Sequence, residues 1–275
     1  VRSKKRGLRW WAITGSLLLA GAIILVPAVV IAGHIIKTTI GSTTVIEHTD
    51  GSRQTIYWGD YPATSELDPQ EILDGPTPEQ GYADGQAMIA EIKSALSSEL
   101  ALEWNAAAEA LDADVFFPGA SNNYGGQSLL TTVNAPEHQS TSVPEAWAGK
   151  QKAMAVIGEI SGKYGYQSPI LDTDSWSEAD LVAERGSLDP GDWVMVGGMV
   201  QGPKGQWLSF AFADYSKKPT GRSAKEVSDD AGGGAQSALF LSYGANGLLP
   251  AANRDIYKEA LAPFIGLERP EPLES

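Results

Sequence analysis

Hydrophobic and polar positions divide this chain into one long uncharged run and a longer region of short, mixed patterns. Trp10 to Ile36 is a run of 27 residues without a charged side chain. A helix rises about 1.5 Å per residue and a bilayer's hydrocarbon core is about 30 Å thick, so roughly 20 apolar residues cross it. The run therefore predicts a transmembrane helix over 10–36. Trp10 and Trp11 fall at one end, where amphipathic rings favour the headgroup level. A kink at Pro27 is tolerable in such a helix.

Beyond the run the periods shorten. Thr43 to Thr49 and Arg53 to Trp58 are β-rich stretches around Asp50-Gly51, which predicts a hairpin within a juxtamembrane segment, 37–58. Segment 59–80 carries Pro62, Pro69, Pro76 and Pro78 with six acids and no base. It reads as an acidic, Pro-rich linker, or as an irregular arm packed along the domain.

The rest, 81–266, predicts one α+β domain, followed by an acidic tail at 267–275. Ile89, Ile92, Leu96 and Leu100 give one apolar helix face within about 82–111. Leu129 to Val133 reads as a strand. Ser142 and Glu145 form a capping-box pattern around Pro144, and Trp147, Met154, Ile157, Ile160 and Tyr164 trace the helix behind it. A short strand is expected near 167–171, then a helix capped by Ser175 and Glu178 that stops at Gly186. Trp193 to Val200 and Gln206 to Ala213 predict a hairpin across Gly202-Pro203-Lys204-Gly205. Ala238 to Tyr243 predicts another strand, and Asn253 to Ala262 a last helix. Several strands with helices gathered on one face predict a two-layer α+β sandwich with a mostly antiparallel sheet.

Charge gives the chain a direction. All 34 acidic residues follow Lys37, with 14 of the 20 basic ones, so that part carries −20 while residues 1–37 carry +6. The basic segment 1–9 before the apolar run places the N-terminus in the cytoplasm and the bulk of the chain outside a plasma membrane, as a single-pass protein. A cleaved signal peptide is the rival reading, with Val30 and Ala32 as small residues before a cut. Its apolar core is normally about 7–15 residues, shorter than this run. The acidic exterior excludes nucleic acid as a partner, because phosphate backbones repel it. The absence of cysteine removes disulfides, thiolate nucleophiles and cysteine metal sites.

Candidate chemistry is sparse. Of the three histidines, only His138, beside Glu137, lies inside the domain, in what reads as a polar loop. Asp172, Asp174 and Asp180 form an acidic cluster that could ligate calcium. The calcium-loop pattern begun at Asp172 is met at Asp174 but broken at Trp176, Ser177 and Ala183. No Gly-x-Ser-x-Gly elbow, phosphate loop or dinucleotide fingerprint occurs. Among eight tryptophans, Trp147, Trp193 and Trp207 fall on expected core elements. Trp58, Trp104 and Trp176 fall at element ends and are the candidates for an exposed binding surface.

Trp147, the Tyr164-Gly165-Tyr166 junction and the run Leu239 to Pro250 resemble small exported proteins and lipoproteins of unknown function from actinobacteria. The lipid-bearing cysteine of such lipoproteins is missing here. The resemblance implies exterior location and fold class, and no activity. The expectation from sequence is a non-catalytic domain anchored by its own helix, binding a cell-envelope component or a membrane-protein partner. The alternative is an envelope glycan hydrolase working through paired carboxylates.

Overall fold

The computed structural model describes residues 29–30, 35–38, 42–106, 112–218, 220–222 and 236–273. Its strands are β1 (Val29–Val30), β2 (Ile35–Thr38), β3 (Thr43–Glu47), β4 (Arg53–Tyr57), β5 (Phe116–Pro118), β6 (Thr131–Asn134), β7 (His138–Gln139), β8 (Ile170–Leu171), β9 (Met195–Gln201), β10 (Gln206–Ala213) and β11 (Ala238–Leu248). Its helices are α1 (Pro69–Leu73), α2 (Pro78–Leu100), α3 (Asp112–Val115), α4 (Trp147–Lys163), α5 (Glu178–Arg185) and α6 (Arg254–Leu261).

Strict alternation builds the main sheet. Leu208, Phe210 and Phe212 of β10 point one way, and register places them beside Tyr243, Leu241 and Leu239 of β11. These residues, with Val196 and Val200 of β9, join Met88, Ile89, Ile92 and Leu96 of α2 and Ala153, Ile157 and Ile160 of α4 in one core. The seven-stranded sheet runs β5-β6-β11-β10-β9-β8, with β7 also paired to β11, and its pairings are antiparallel. Both long helices lie on the same face. The fold is thus α+β with a two-layer main domain, as the periodicity predicts.

Several boundaries move for physical reasons. Helix α2 begins earlier than expected because Thr77 and Gln80 form a capping box, with Pro78 in the first turn. It ends at Leu100, not near 111, where Ala101 takes a left-handed conformation (φ 53°). The chain then runs beside 139–141, bridging Trp104 to Ser140. The Ser142–Glu145 pattern does not cap α4: that helix starts at Trp147, after Ala146, with no side-chain cap. Helix α5 is capped by Ser177 with Asp180, and Gly186 (φ 79°) ends it as expected.

The segment 59–80 is the packed arm, not a solvated linker. Tyr61, Ala63 and Ile72 enter a second core with Trp58, Tyr124, Leu130, Leu249, Tyr257 and Phe264. Trp58 is fully buried, its ring 5.1–5.4 Å from those of Phe264, Tyr61 and Tyr124 and its N–H donating to Thr44 Oγ1 at 2.8 Å. The exposed role expected for Trp58 is therefore overturned. Even the tail is pinned, since Arg269 donates to the carbonyls of Ser65 and Leu67.

The helix expected over 10–36 lies outside the described residues, apart from Val29–Val30 and Ile35–Ile36. Those positions are strand, in a small sheet ordered β1-β2-β3-β4. No helix among the described residues is long and apolar enough to cross a membrane.

Two buried polar devices fasten the fold, one in the second core and one between the layers. Asn122 Nδ2 donates to the carbonyls of Trp58, Gly59 and Tyr61 at 2.8–3.1 Å, and its Oδ1 accepts from the N–H groups of Tyr124 and Gly126. Lys150, in the first turn of α4, meets Asp214 at the end of β10 at 3.1 Å, with both side chains essentially unexposed. Burial would raise the Asp214 pKa. Hydrogen bonds from Ser216 and Lys150 outweigh it and hold the carboxyl below its ordinary value.

Replacing Asn122 by Ala strands several buried backbone groups, so stability should fall by about 2–4 kcal/mol. Urea unfolding measures this, and segment 59–68 should become a new site of proteolysis. Lys150→Met alone leaves a buried unpaired carboxylate and should cost about 3–5 kcal/mol. The double variant Lys150→Met with Asp214→Leu should recover most of that loss in the same assay.

Candidate functional site

The side of the sheet opposite the helices is where the structure gathers usable chemistry. Alternation sends Met195, Gly197 and Met199 of β9, Trp207, Ser209 and Ala211 of β10, and Phe240, Ser242 and Gly244 of β11 to this face. Register arranges them in rows. Ile170, Met199, Ser209 and Ser242 lie abreast, as do Gly197, Ala211, Phe240 and Gln139, and Gln201, Trp207, Gly244 and Asn134. Trp207, Met199, Phe240, Ser209 and Ser242 are half-buried, and Ile170 is 47% exposed.

Trp207 is the centrepiece. Its indole lies across Gly244, the residue directly opposite on β11: a Cβ at 244 would fall 2.2 Å from the indole Cζ2 and 2.5 Å from Cε2. The indole N–H donates to Asn246 Oδ1 at 3.3 Å. The indole thus covers the sheet backbone at Gly244 while the residue stays only half-buried. The sequence reading assigned Trp207 to the core because its strand is a core element. The signal to the contrary was the alternation of Gln206-Trp207-Leu208-Ser209-Phe210, which puts Trp207 opposite Leu208 and Phe210.

At the β8 edge of this face, Asp172 leans over Gly197, where a Cβ would meet its Oδ2 at 2.5 Å. Burial raises the Asp172 pKa, the nearby Arg185 guanidinium opposes the rise, and Asp174 adds to it. Arg185, at the C-terminus of α5, lies over Trp176 at 5.6 Å and over Trp193 at 5.8 Å. Burial lowers the Arg185 pKa, with Asp172 and Glu184 pulling it up. Trp193 is held by its N–H donating to the Ser187 carbonyl at 2.9 Å.

The proposed calcium ligands are placed as follows. Asp174 accepts from the Leu171 N–H at 2.9 Å, and Asp180 accepts from Ser177 Oγ at 2.7 Å, so both are engaged in local capping. Among the described residues no group of three or more His, Cys, Asp or Glu gathers as a metal site. The structure brings Asp172 and Trp176 together with Arg185, and leaves Trp104 elsewhere.

Trp104 belongs to a second cluster, between α2 and β7. His138 is on a strand and 9% exposed, not in a solvated loop. Its Nδ1 is 3.3 Å from Lys93 Nζ and its Nε2 is 3.0 Å from Gln86 Oε1. An ammonium can only donate and Gln86 Oε1 can only accept, so the ring is neutral with its proton on Nε2. Lys93 also sits 5.2 Å over the Trp104 ring.

Burial also raises the Glu137 pKa. Glu137 and Asp172 flank strands four spacings apart, roughly 19 Å at the usual inter-strand distance. Carboxylates that cleave a glycosidic bond sit about 5–9.5 Å apart. Glu137 and Asp172 therefore do not form such a pair. Comparison with protein-family models, curated proteins and solved structures finds no match to this chain.

Burial and then the Lys93 charge lower the His138 pKa below its ordinary 6.5. Below pH 6.5 the unfolded chain takes up a proton that the folded chain refuses, so stability should fall as pH drops from 6.5 toward the folded value. Unfolding free energies on either side of pH 6.5 should show this slope in the native protein, and His138→Gln should remove its share of it.

Proposed function

We propose that this chain is a non-catalytic, membrane-anchored domain outside the plasma membrane that binds a glycan component of the cell envelope on its open sheet face. The observation that carries the reading is Trp207, a half-buried indole that lies over Gly244 on the open face and bonds Asn246. A sugar ring presents an apolar C–H face that stacks on such an indole. The hydroxyl and amide side chains of the same face, Ser209, Ser242, Asn134 and Gln139, suit sugar hydroxyls. Location rests on the sequence: the uncharged run 10–36, the basic residues before it, and the −20 charge after it. The resemblance to exported actinobacterial proteins supports the same side of the membrane.

A glycan is preferred to a membrane-protein partner because this face mixes small and polar residues among its apolar ones. The centre of a protein–protein interface is typically more apolar and depleted of such polar positions. The hydrolase alternative draws no support from Glu137 and Asp172, the two carboxyls that burial raises, because they lie roughly 19 Å apart along the sheet.

Full-length protein in detergent, titrated calorimetrically with soluble oligosaccharides from wall glycan, tests the reading. Trp207→Ala should weaken binding about tenfold, the loss expected of one aromatic stacking contact, without shifting the melting temperature. Unchanged affinity in that variant, or no binding by the native protein, would contradict the proposal.

A further inference from the structure

The seven strands of the main sheet hold no Asp, Glu, Lys or Arg, although the sequence carries 34 acids and 20 bases. Core-facing positions are apolar by necessity. The open face is under no such demand, since solvent-facing positions are where a protein ordinarily places its charge. Lys204, in the turn between β9 and β10, reaches back to the Asp74 carbonyl. Asp172 leans in over Gly197, roughly 14 Å from Trp207 by strand geometry. An ion brought to the Trp207 row would lose water and meet no opposite charge, so this surface favours an uncharged ligand.

The polar groups that surround Trp207 are carboxamides. Register sets Gln201, Trp207, Gly244 and Asn134 abreast on β9, β10, β11 and β6. Gln201 is one strand spacing from Trp207 and Asn134 two on the other side, roughly 5 and 10 Å. Gln201 is exposed and Asn134 half-buried, and among the described residues no hydrogen bond occupies either side chain. Asn246, two residues along from Gly244, is exposed and accepts from the indole N–H through Oδ1, which leaves its amide N–H donors for a ligand. Met199 is the next residue beside Gln201 on the open face of β9, and it is half-buried.

A carboxamide can accept from an amide N–H or donate to an amide C=O. An acetamido group presents both, and its methyl group needs an apolar seat, which Met199 supplies. A plain hydroxyl in the same place forgoes the methyl contact and half of that pairing.

We infer that the ligand of the open face is an uncharged glycan of N-acetylated amino sugars. One ring stacks on Trp207 with its acetamido group held at Gln201 and Met199. The next sugar along the row meets Asn134 and Asn246. This rests on the glycan-binding reading and names the sugar class, with Gln201 as the specificity-determining residue.

The test is a calorimetric titration of the full-length protein in detergent with three oligosaccharides of equal length, built of N-acetylglucosamine, of glucose and of a hexuronic acid. The N-acetylated oligomer should bind at least about tenfold more tightly than the glucose oligomer, and the acidic oligomer most weakly. Gln201→Met removes the carboxamide at nearly constant size from an exposed position. It should keep the native melting temperature and cut the N-acetylated oligomer's advantage by about fivefold, the loss of one hydrogen-bonding partner. Trp207→Ala should weaken both neutral oligomers alike. Equal binding of the two neutral oligomers overturns the inference and leaves glycan binding standing. Tightest binding by the acidic oligomer, or an advantage that Gln201→Met leaves intact, does the same. Binding of none of the three overturns both.

Discussion

Tyr243 is the point on which the two layers depend. It sits mid-way along the central strand β11, fully buried, and its ring presses on the backbone of α2 at Gly85. A Cβ at that position would fall 2.4 Å from the ring, so only glycine lets the helix come down this far. The phenol O–H donates to Gln206 Oε1 at 3.0 Å, which ties the contact to the start of β10. With α2 seated at this depth, Met88, Ile89, Ile92 and Leu96 reach the sheet, and α4 packs beside α2 against the same face. Because side chains alternate with a period of two, fixing Tyr243 toward the helices also fixes Ser242 and Gly244 away from them. The open face is the necessary complement of the closed one.

The same constraint shapes the open face. An aromatic ring on a sheet face is usually half-covered by its neighbours. Here Trp207 lies over Gly244 and bonds Asn246, and the next residues on its face of β10, Ser209 and Ala211, are small. The second core matters for a different reason. Asn122 and Trp58 lock the hairpin and arm onto the domain, so segment 59–80 gives no slack between the platform and whatever precedes Ser42.

Much of the fold was legible in periodicity. The helices α2, α4, α5 and α6 and the strands β9, β10 and β11 follow from apolar spacing and from Gly and Pro punctuation. Three things were not. Segment 59–80 has the composition of a linker, yet Tyr61, Ala63 and Ile72 find partners only in residues distant along the chain, which local pattern cannot show. Ala101 is a good helix former that here turns left-handed, since the chain must leave α2 to run beside 139–141. The Ser142–Glu145 pattern is a sound cap signature that tertiary pairing of Ser140 overrides, its hydroxyl donating to the Ser142 carbonyl. At the site, Trp176 and Asp172 were singled out from the sequence. Their link to Arg185 required the return of α5 beside Trp193. Trp58 is buried and Trp207 only half-buried, the reverse of what their elements suggest, because burial depends on which face a residue takes and not only on which element carries it.

The most direct test of the two-faced sheet is hydroxyl-radical footprinting of the full-length protein, read residue by residue by mass spectrometry. Trp207 and Met199 should be oxidised readily, while Tyr243, Phe210 and Trp58 stay protected until the protein unfolds. Trp207 as well shielded as Phe210 in the ligand-free protein would mean that the face is covered, and would contradict the account.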